Sequence, residues 1–146
     1  MIDIEGHIIH IDFGFFLSNA PGKGLRFERA PFKLTKDFVD VLGGMNSKGF
    51  RRYRELMAEG FGALQEHAAQ IIILVEMMIM GQSELKCFEE GQQKVLKDLK
   101  ERFFPRGRTM NREQIDQFVE KLIDESVDNW RTNVYDKIQY CCQGIL

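Results

Sequence analysis

Cysteine is scarce in this chain and badly spaced for chemistry. Only Cys87, Cys141 and Cys142 occur among 146 residues. The number is odd, two are adjacent, and none shows the paired C-x-x-C spacing of a zinc or redox site, which argues for free thiols in a reducing compartment. Charge of one sign is lacking too. A formal net charge of -2 excludes a global pull toward nucleic acid or anionic lipid, so any basic surface has to be local. The residues after Met1 have no basic stretch followed by an unbroken apolar run, because Asp3, Glu5 and His7 interrupt it, and no secretory signal is expected. The most apolar window, "IIILVEMMIM" from Ile71 to Met80, falls far short of the ~20 residues a membrane span needs and contains Glu76. It reads as a buried helix. Repeats, low-complexity tracts and linkers are absent, which predicts one compact unit.

What is present is enough to bury a core: 44% of residues are hydrophobic and 11% aromatic, within the size of one ordinary domain. "IDIEGHIIHIDFG" holds two short β-branched runs around Glu5-Gly6 and predicts a β-hairpin, residues 1–14, whose second strand ends in Asp12-Phe13-Gly14. From Ser18 to Lys33, prolines and glycines without a sustained period predict a long loop.

Beyond Thr35, a candidate N-cap, the pattern is helical throughout. A short helix ends at Gly43-Gly44. Phe50, Tyr53, Met57, Phe61 and Leu64 then recur at helical intervals as one apolar stripe. Further helices are predicted over roughly 66–80 and 89–104. Another opens on Asn111 and Gln114 in capping-box spacing and repeats Ile115, Phe118, Val119, Leu122 and Ile123. A last helix places Trp130, Val134, Ile138 and Cys142 on one face. The expected fold is mainly α (α+β overall): a hairpin, a loop and about six helices over 35–146.

Phosphoryl transfer needs a carboxylate that coordinates the magnesium bridging the nucleotide phosphates, and a strand-end Asp followed by Phe-Gly supplies one on a hinge. On its own "DFG" is a short motif, and Asp12 could equally cap a turn. Its setting favours the metal role: an apolar strand before it, a long loop after it and an all-helical remainder are the layout of a kinase C-lobe from the metal-binding Asp onward.

"GHIIHIDFGFFLSNAP" followed by "FERAPFKLTKDFVDVLGG" resembles the phosphatidylinositol 3- and 4-kinase family, and within it most the type III beta 4-kinases. The resemblance runs to the terminal "YDKIQYCCQGIL". It implies a lipid kinase that transfers the ATP γ-phosphate to the 4-hydroxyl of phosphatidylinositol, with Mg2+ and ATP as cofactors. Asp12 is then the metal ligand, Ile11 an apolar wall of the adenine pocket, and Phe13-Gly14 the hinge of an activation loop over 15–34. His10 matches the family spelling and is expected to be structural.

Across Ala20 to Lys36, five cations, Lys23, Arg26, Arg29, Lys33 and Lys36, face one anion, Glu28. A positive loop beside the metal suits an anionic headgroup. Family 3-kinases acting on bisphosphorylated headgroups carry several lysines directly after "DFG". Here "FFLSNAPGKG" has only Lys23, which fits phosphatidylinositol itself, with Lys23, Arg26, Arg29 and Lys33 as the headgroup residues.

The family's nucleotide-binding Lys, phosphate loop and catalytic Asp and Asn all precede its "DFG" segment. Its catalytic loop runs almost directly into the segment matching "MIDIEGHIIHIDFG", so the resemblance places that loop upstream of Met1. It therefore implies a C-terminal lobe fragment with no catalytic residue present, inactive without the missing N-terminal part of the kinase domain. It also implies a cytoplasmic enzyme peripheral on internal, Golgi-type membranes. The tail residues Tyr140, Ile145 and Leu146 could then dip into the interface, or the stripe of the last helix could equally be core throughout.

Three features are expected to be structural. Arg51, Arg52 and Arg54 read as a solvated flank, Met77, Met78 and Met80 as adaptable core packing, and Cys142 as buried rather than lipidated. The alternatives are a non-catalytic helical interaction module, a piece of a related phosphatidylinositol 3-kinase, or a large Ser/Thr protein kinase. The basic loop ending in "PFKLT" weighs against the last.

Overall fold

A computed structural model describes residues 3–7, 9, 11, 16, 17, 19, 30–127, 129, 134, 137, 140 and 141. Five helices organise them: α1 (Lys36–Val41), α2 (Lys48–Glu66), α3 (Ala68–Gly81), α4 (Gln92–Phe103) and α5 (Arg112–Ser126), with a 3-10 turn at Lys86–Phe88 before α4. Val134, Lys137, Tyr140 and Cys141 are helical as well, and all four are exposed. The mainly helical expectation holds.

The sequence dictates where the helices begin and end. α1 starts after Thr35, whose backbone is extended but whose side chain makes no cap bond. It is stopped by Gly43 and Gly44, both at φ near +90° (89° and 91°), a conformation only glycine adopts without strain. Their amides close the end by donating to Asp40 O (2.9 Å) and Val39 O (2.8 Å). The Ser47 Oγ then accepts from Phe50 N and donates to Leu42 O, fastening the end of α1 to the first turn of α2. At α5 the capping box is complete. The Asn111 side chain accepts from Gln114 N (2.9 Å) while the Gln114 side chain accepts from Asn111 N (3.2 Å).

Two helix pairs carry the packing. α2 lies on α5 around Phe50, Ala58, Ile115, Val119 and Ile123, with Leu34, Val39 and Met110 closing the cluster. α3 lies on α4 around Ile72, Val75, Ile79, Val95, Leu99 and Phe103, with Ala68 and Phe88. Arg54 adds a tie in the first pair, stacking on the Phe50 ring at 5.1 Å and donating to Glu120 at 2.6 Å. Gln65, at the end of α2, joins the two clusters. Its Nε2 donates to Phe103 O (2.6 Å) and its Oε1 accepts from Met110 N (3.2 Å).

Several expectations need correcting. Of the α2 stripe, Phe50 is buried and Tyr53, Met57 and Phe61 pack against the core as expected, but Leu64 is exposed and the neighbouring Gln65 is buried instead. α3 is buried on one face only, by Ile72, Val75 and Ile79. Ile73, Leu74, Met77 and Met80 are exposed, Met77 at 62% and Met80 at 87%, so these methionines are not core packing. A 14-residue helix surrounded by apolar side chains has more apolar surface than α4 and α2 cover. Among the described residues no single helix is long and apolar enough to cross a membrane; α2 and α3 are separated by a 65° bend at His67.

Candidate functional site

The amino-terminal segment turns back on itself at the predicted place. Asp3 N donates to His7 O (3.0 Å), and Gly6 N to Asp3 O (3.2 Å), with Gly6 at φ 89°. The Asp3 carboxylate organises the turn. Its Oδ1 accepts from the amides of Glu5 (2.9 Å) and His7 (2.8 Å), and its Oδ2 pairs with His7 Nδ1 (2.9 Å). Those hydrogen bonds, led by the His7 amide, hold the Asp3 carboxyl below its ordinary range. The reversal is present, but no strand flanks it among the described residues, so the hairpin is not established. Ile9 and Ile11 follow, and Ile11 is 56% exposed, an apolar side chain without cover.

Of the residues assigned from sequence, Asp12, Phe13, Gly14, Lys23, Arg26 and Arg29 lie outside the described residues, as do His10, Trp130, Ile138, Cys142, Ile145 and Leu146. Lys33 is described and exposed. It sits between two fixed neighbours. Phe32 N donates to the Ser126 Oγ (3.4 Å), and Leu34 forms a parallel bridge with Val127. Ser126 is fully buried and its Oγ also donates to Leu122 O (2.7 Å), so one hydroxyl serves both a helix carbonyl and the loop amide. The carboxyl stem of the loop is thereby fastened to the end of α5.

The amino stem is fastened to α4. Leu17 occupies the left-handed region at φ 56°, inside a turn closed by Asn19 N donating to Phe16 O (3.1 Å). Its carbonyl accepts from Arg102 Nη1 at 3.0 Å, and its side chain packs on the α3–α4 cluster. Sequence reasoning missed both Arg102 and Ser126. Arg102 carries no distinguishing signal in the sequence, since it stands among exposed charges near the end of an amphipathic helix. A serine in the last turn of α5 likewise reads as a polar helix end.

Arg51 and Arg52 are exposed as a solvated flank should be, Arg52 pairing with Glu55 (3.1 Å) and Glu59 (3.6 Å), but Arg54 departs from that expectation: it is half-buried, lies over the Phe50 ring and reaches Glu120 on α5. Asp3, Glu5 and His7 place their ligand atoms within 4.8 Å of one another, but all three are exposed and are already engaged in the turn.

The described residues form a mainly helical lobe led by a chain reversal, as expected for a kinase C-lobe. A profile of the family "Phosphatidylinositol 3- and 4-kinase" matches residues 1–85, and the chain belongs to that family. The whole chain is also 43% identical, over all 146 residues, to proteins named phosphatidylinositol 4-kinase beta from Xenopus tropicalis, Rattus norvegicus and Mus musculus. It covers 17% of each of those relatives, a minor part of their length.

Proposed function

We propose that this chain is the C-lobe portion of a phosphatidylinositol 4-kinase, an enzyme that transfers the γ-phosphate of ATP to the 4-hydroxyl of phosphatidylinositol. The observation that carries this reading is the 43% identity running through all 146 residues to proteins named phosphatidylinositol 4-kinase beta. Within it, residues 1–14 are the metal segment, 15–34 the activation loop and 35–146 the helical support. Because the chain spans 17% of those relatives, turnover is assigned to the polypeptide that contains it. The 146 residues alone are proposed to be inactive, because they cover only part of such an enzyme.

Magnesium takes hard oxygen donors, and the Asp12 carboxylate is one. Held there with ATP, the ion would neutralise charge on the β- and γ-phosphates during transfer. Ile11, apolar and exposed, suits a wall against the adenine ring. Lys23, Arg26, Arg29 and Lys33 orient the lipid phosphate, and the single lysine close behind "DFG" suits a headgroup without further phosphates. Exposed Tyr140 suits an interfacial contact of a peripheral membrane enzyme on internal membranes, reached from the cytoplasm.

Asp12→Asn in the complete polypeptide tests the assignment. The shape is kept while the charge that attracts Mg2+ is removed, so lipid phosphorylation at saturating Mg-ATP should fall by about two orders of magnitude or more. Turnover close to the parent's would remove Asp12 from the metal site.

A further inference from the structure

The two stems of the activation loop are held by side chains from different helices, and one of those anchors holds a strained residue. A leucine at positive φ is strained and persists only where its surroundings over-determine it. Here two contacts do so. The Arg102 guanidinium donates to the Leu17 carbonyl at 3.0 Å across 85 residues of sequence, and the Leu17 side chain lies against the α3–α4 core.

Arg102 is itself well placed to act as a fixed post. It sits in the last turn of α4, next to Phe103, whose side chain is buried and whose carbonyl receives the Gln65 amide at 2.6 Å. The other stem has an independent anchor in Ser126 and Val127. Both stems face one groove of about 750 Å³, lined by Leu17, Ala30 and Pro31 from the loop and by Phe61, Arg102 and Phe118 from the helices. The groove thus registers the spacing of the stems against three helices at once.

We propose that Arg102 is a positioning residue for lipid substrate: by fixing Leu17 it sets where the activation loop leaves the helical lobe, and so where the loop's cations meet the headgroup. This rests on the lipid-kinase reading above. Arg102 touches neither substrate nor nucleotide in this role. Its loss should weaken engagement of phosphatidylinositol and leave Mg-ATP binding nearly unchanged.

The test uses the complete polypeptide with Arg102→Met, which keeps the aliphatic stem, and Arg102→Lys, which keeps a cationic donor. Hydrogen exchange at the Asn19 amide, which closes the Leu17 turn, reads the anchor without reference to catalysis. Kinetics on phosphatidylinositol vesicles read its consequence. Losing one charge-assisted bond at a partly exposed site should accelerate Asn19 exchange and raise KM for the lipid, each about fivefold. Exchange in α4 at Val95 and Leu99, the melting temperature and KM for Mg-ATP should hold, and Arg102→Lys should recover part of both losses.

Unchanged Asn19 exchange in Arg102→Met overturns the proposal. So does faster exchange spread along α4 with a lower melting temperature and no recovery by lysine, because Arg102 is then only a stabilising residue. A released Asn19 with unaltered lipid kinetics also overturns it. If the parent polypeptide phosphorylates no lipid while Asn19 still responds to Arg102→Met, the lipid-kinase reading fails and the anchor stands.

Discussion

Gln65 should be among the most sensitive positions in the chain. It is 5% exposed, and its amide group satisfies two backbone atoms from the two hydrophobic clusters: Phe103 O at 2.6 Å and Met110 N at 3.2 Å. Gln65→Met keeps the length and flexibility of the side chain and removes both bonds. Leaving a buried donor or acceptor unpaired costs about 1–3 kcal/mol, so two together should cost about 2–4 kcal/mol once partial relaxation is allowed. At about 2–4 °C per kcal/mol for a domain of this size, the melting temperature should drop by about 5–15 °C. Scanning calorimetry on parent and variant measures it.

Gln65→Glu separates the donor from the acceptor. The carboxylate can still accept from Met110 N, but it can serve Phe103 O only when protonated, so its folded pKa must rise above the ordinary value of about 4.3. A raised folded pKa gives a contribution fully present below the unfolded value and lost as pH rises through the folded one. The variant should therefore approach the parent near pH 4 and fall behind it at pH 7. A Gln65→Met shift below about 2 °C, or a Gln65→Glu deficit that does not grow with pH, would refute the bridging role.

Two further outcomes are expected. A Cβ at Gly49 would stand 2.4 Å from Leu42 O, a backbone atom already engaged by Ser47, whereas one at Gly60 meets nothing within 4 Å. Gly49→Ala should destabilise by about 1–3 kcal/mol and Gly60→Ala stabilise by about 0.5–1 kcal/mol, which urea unfolding midpoints will compare. The Asp3 turn is governed by a lowered carboxyl pKa, so its stabilisation is present above the ordinary aspartate value and lost as pH falls through the lower folded value. The amide shifts of Glu5 and His7 should move together over that acidic window by NMR, and Asp3→Asn should abolish the transition.

Most of the helical scaffold was legible because its determinants are local. The Asn111–Gln114 box, the Gly43-Gly44 stop and the α5 stripe of Ile115, Val119 and Ile123 act within one or two turns of chain, and each appears in the structure as its spacing predicts. The failures are positions decided by what lies across from them. On α2 the apolar period favours Leu64, yet the neighbouring backbone of Phe103 and Met110 presents a carbonyl and an amide that only a side chain such as Gln65 can satisfy. On α3 no period distinguishes a buried from an exposed face, because apolar residues surround the helix. Only the position of α4 decides that Ile72 is covered and Met77 is not.

The candidate site divides along the same line. The proposed metal motif and headgroup cations are suggested by residue type, since carboxylate suits magnesium, and ammonium and guanidinium groups suit phosphate, whatever the fold around them. The loop's supports are not. Arg102 lies 85 residues from the carbonyl it holds and Ser126 lies 94 from the amide it receives, and each occupies a position where a charged or polar side chain would be chosen for solvent alone. A bond between such distant residues depends on helix placement, which in turn depends on the Gln65 bridge that brings the end of α4 against α2. The proposed chemistry thus rests on local motifs, while the geometry around it depends on the core contacts that sequence periodicity describes least well.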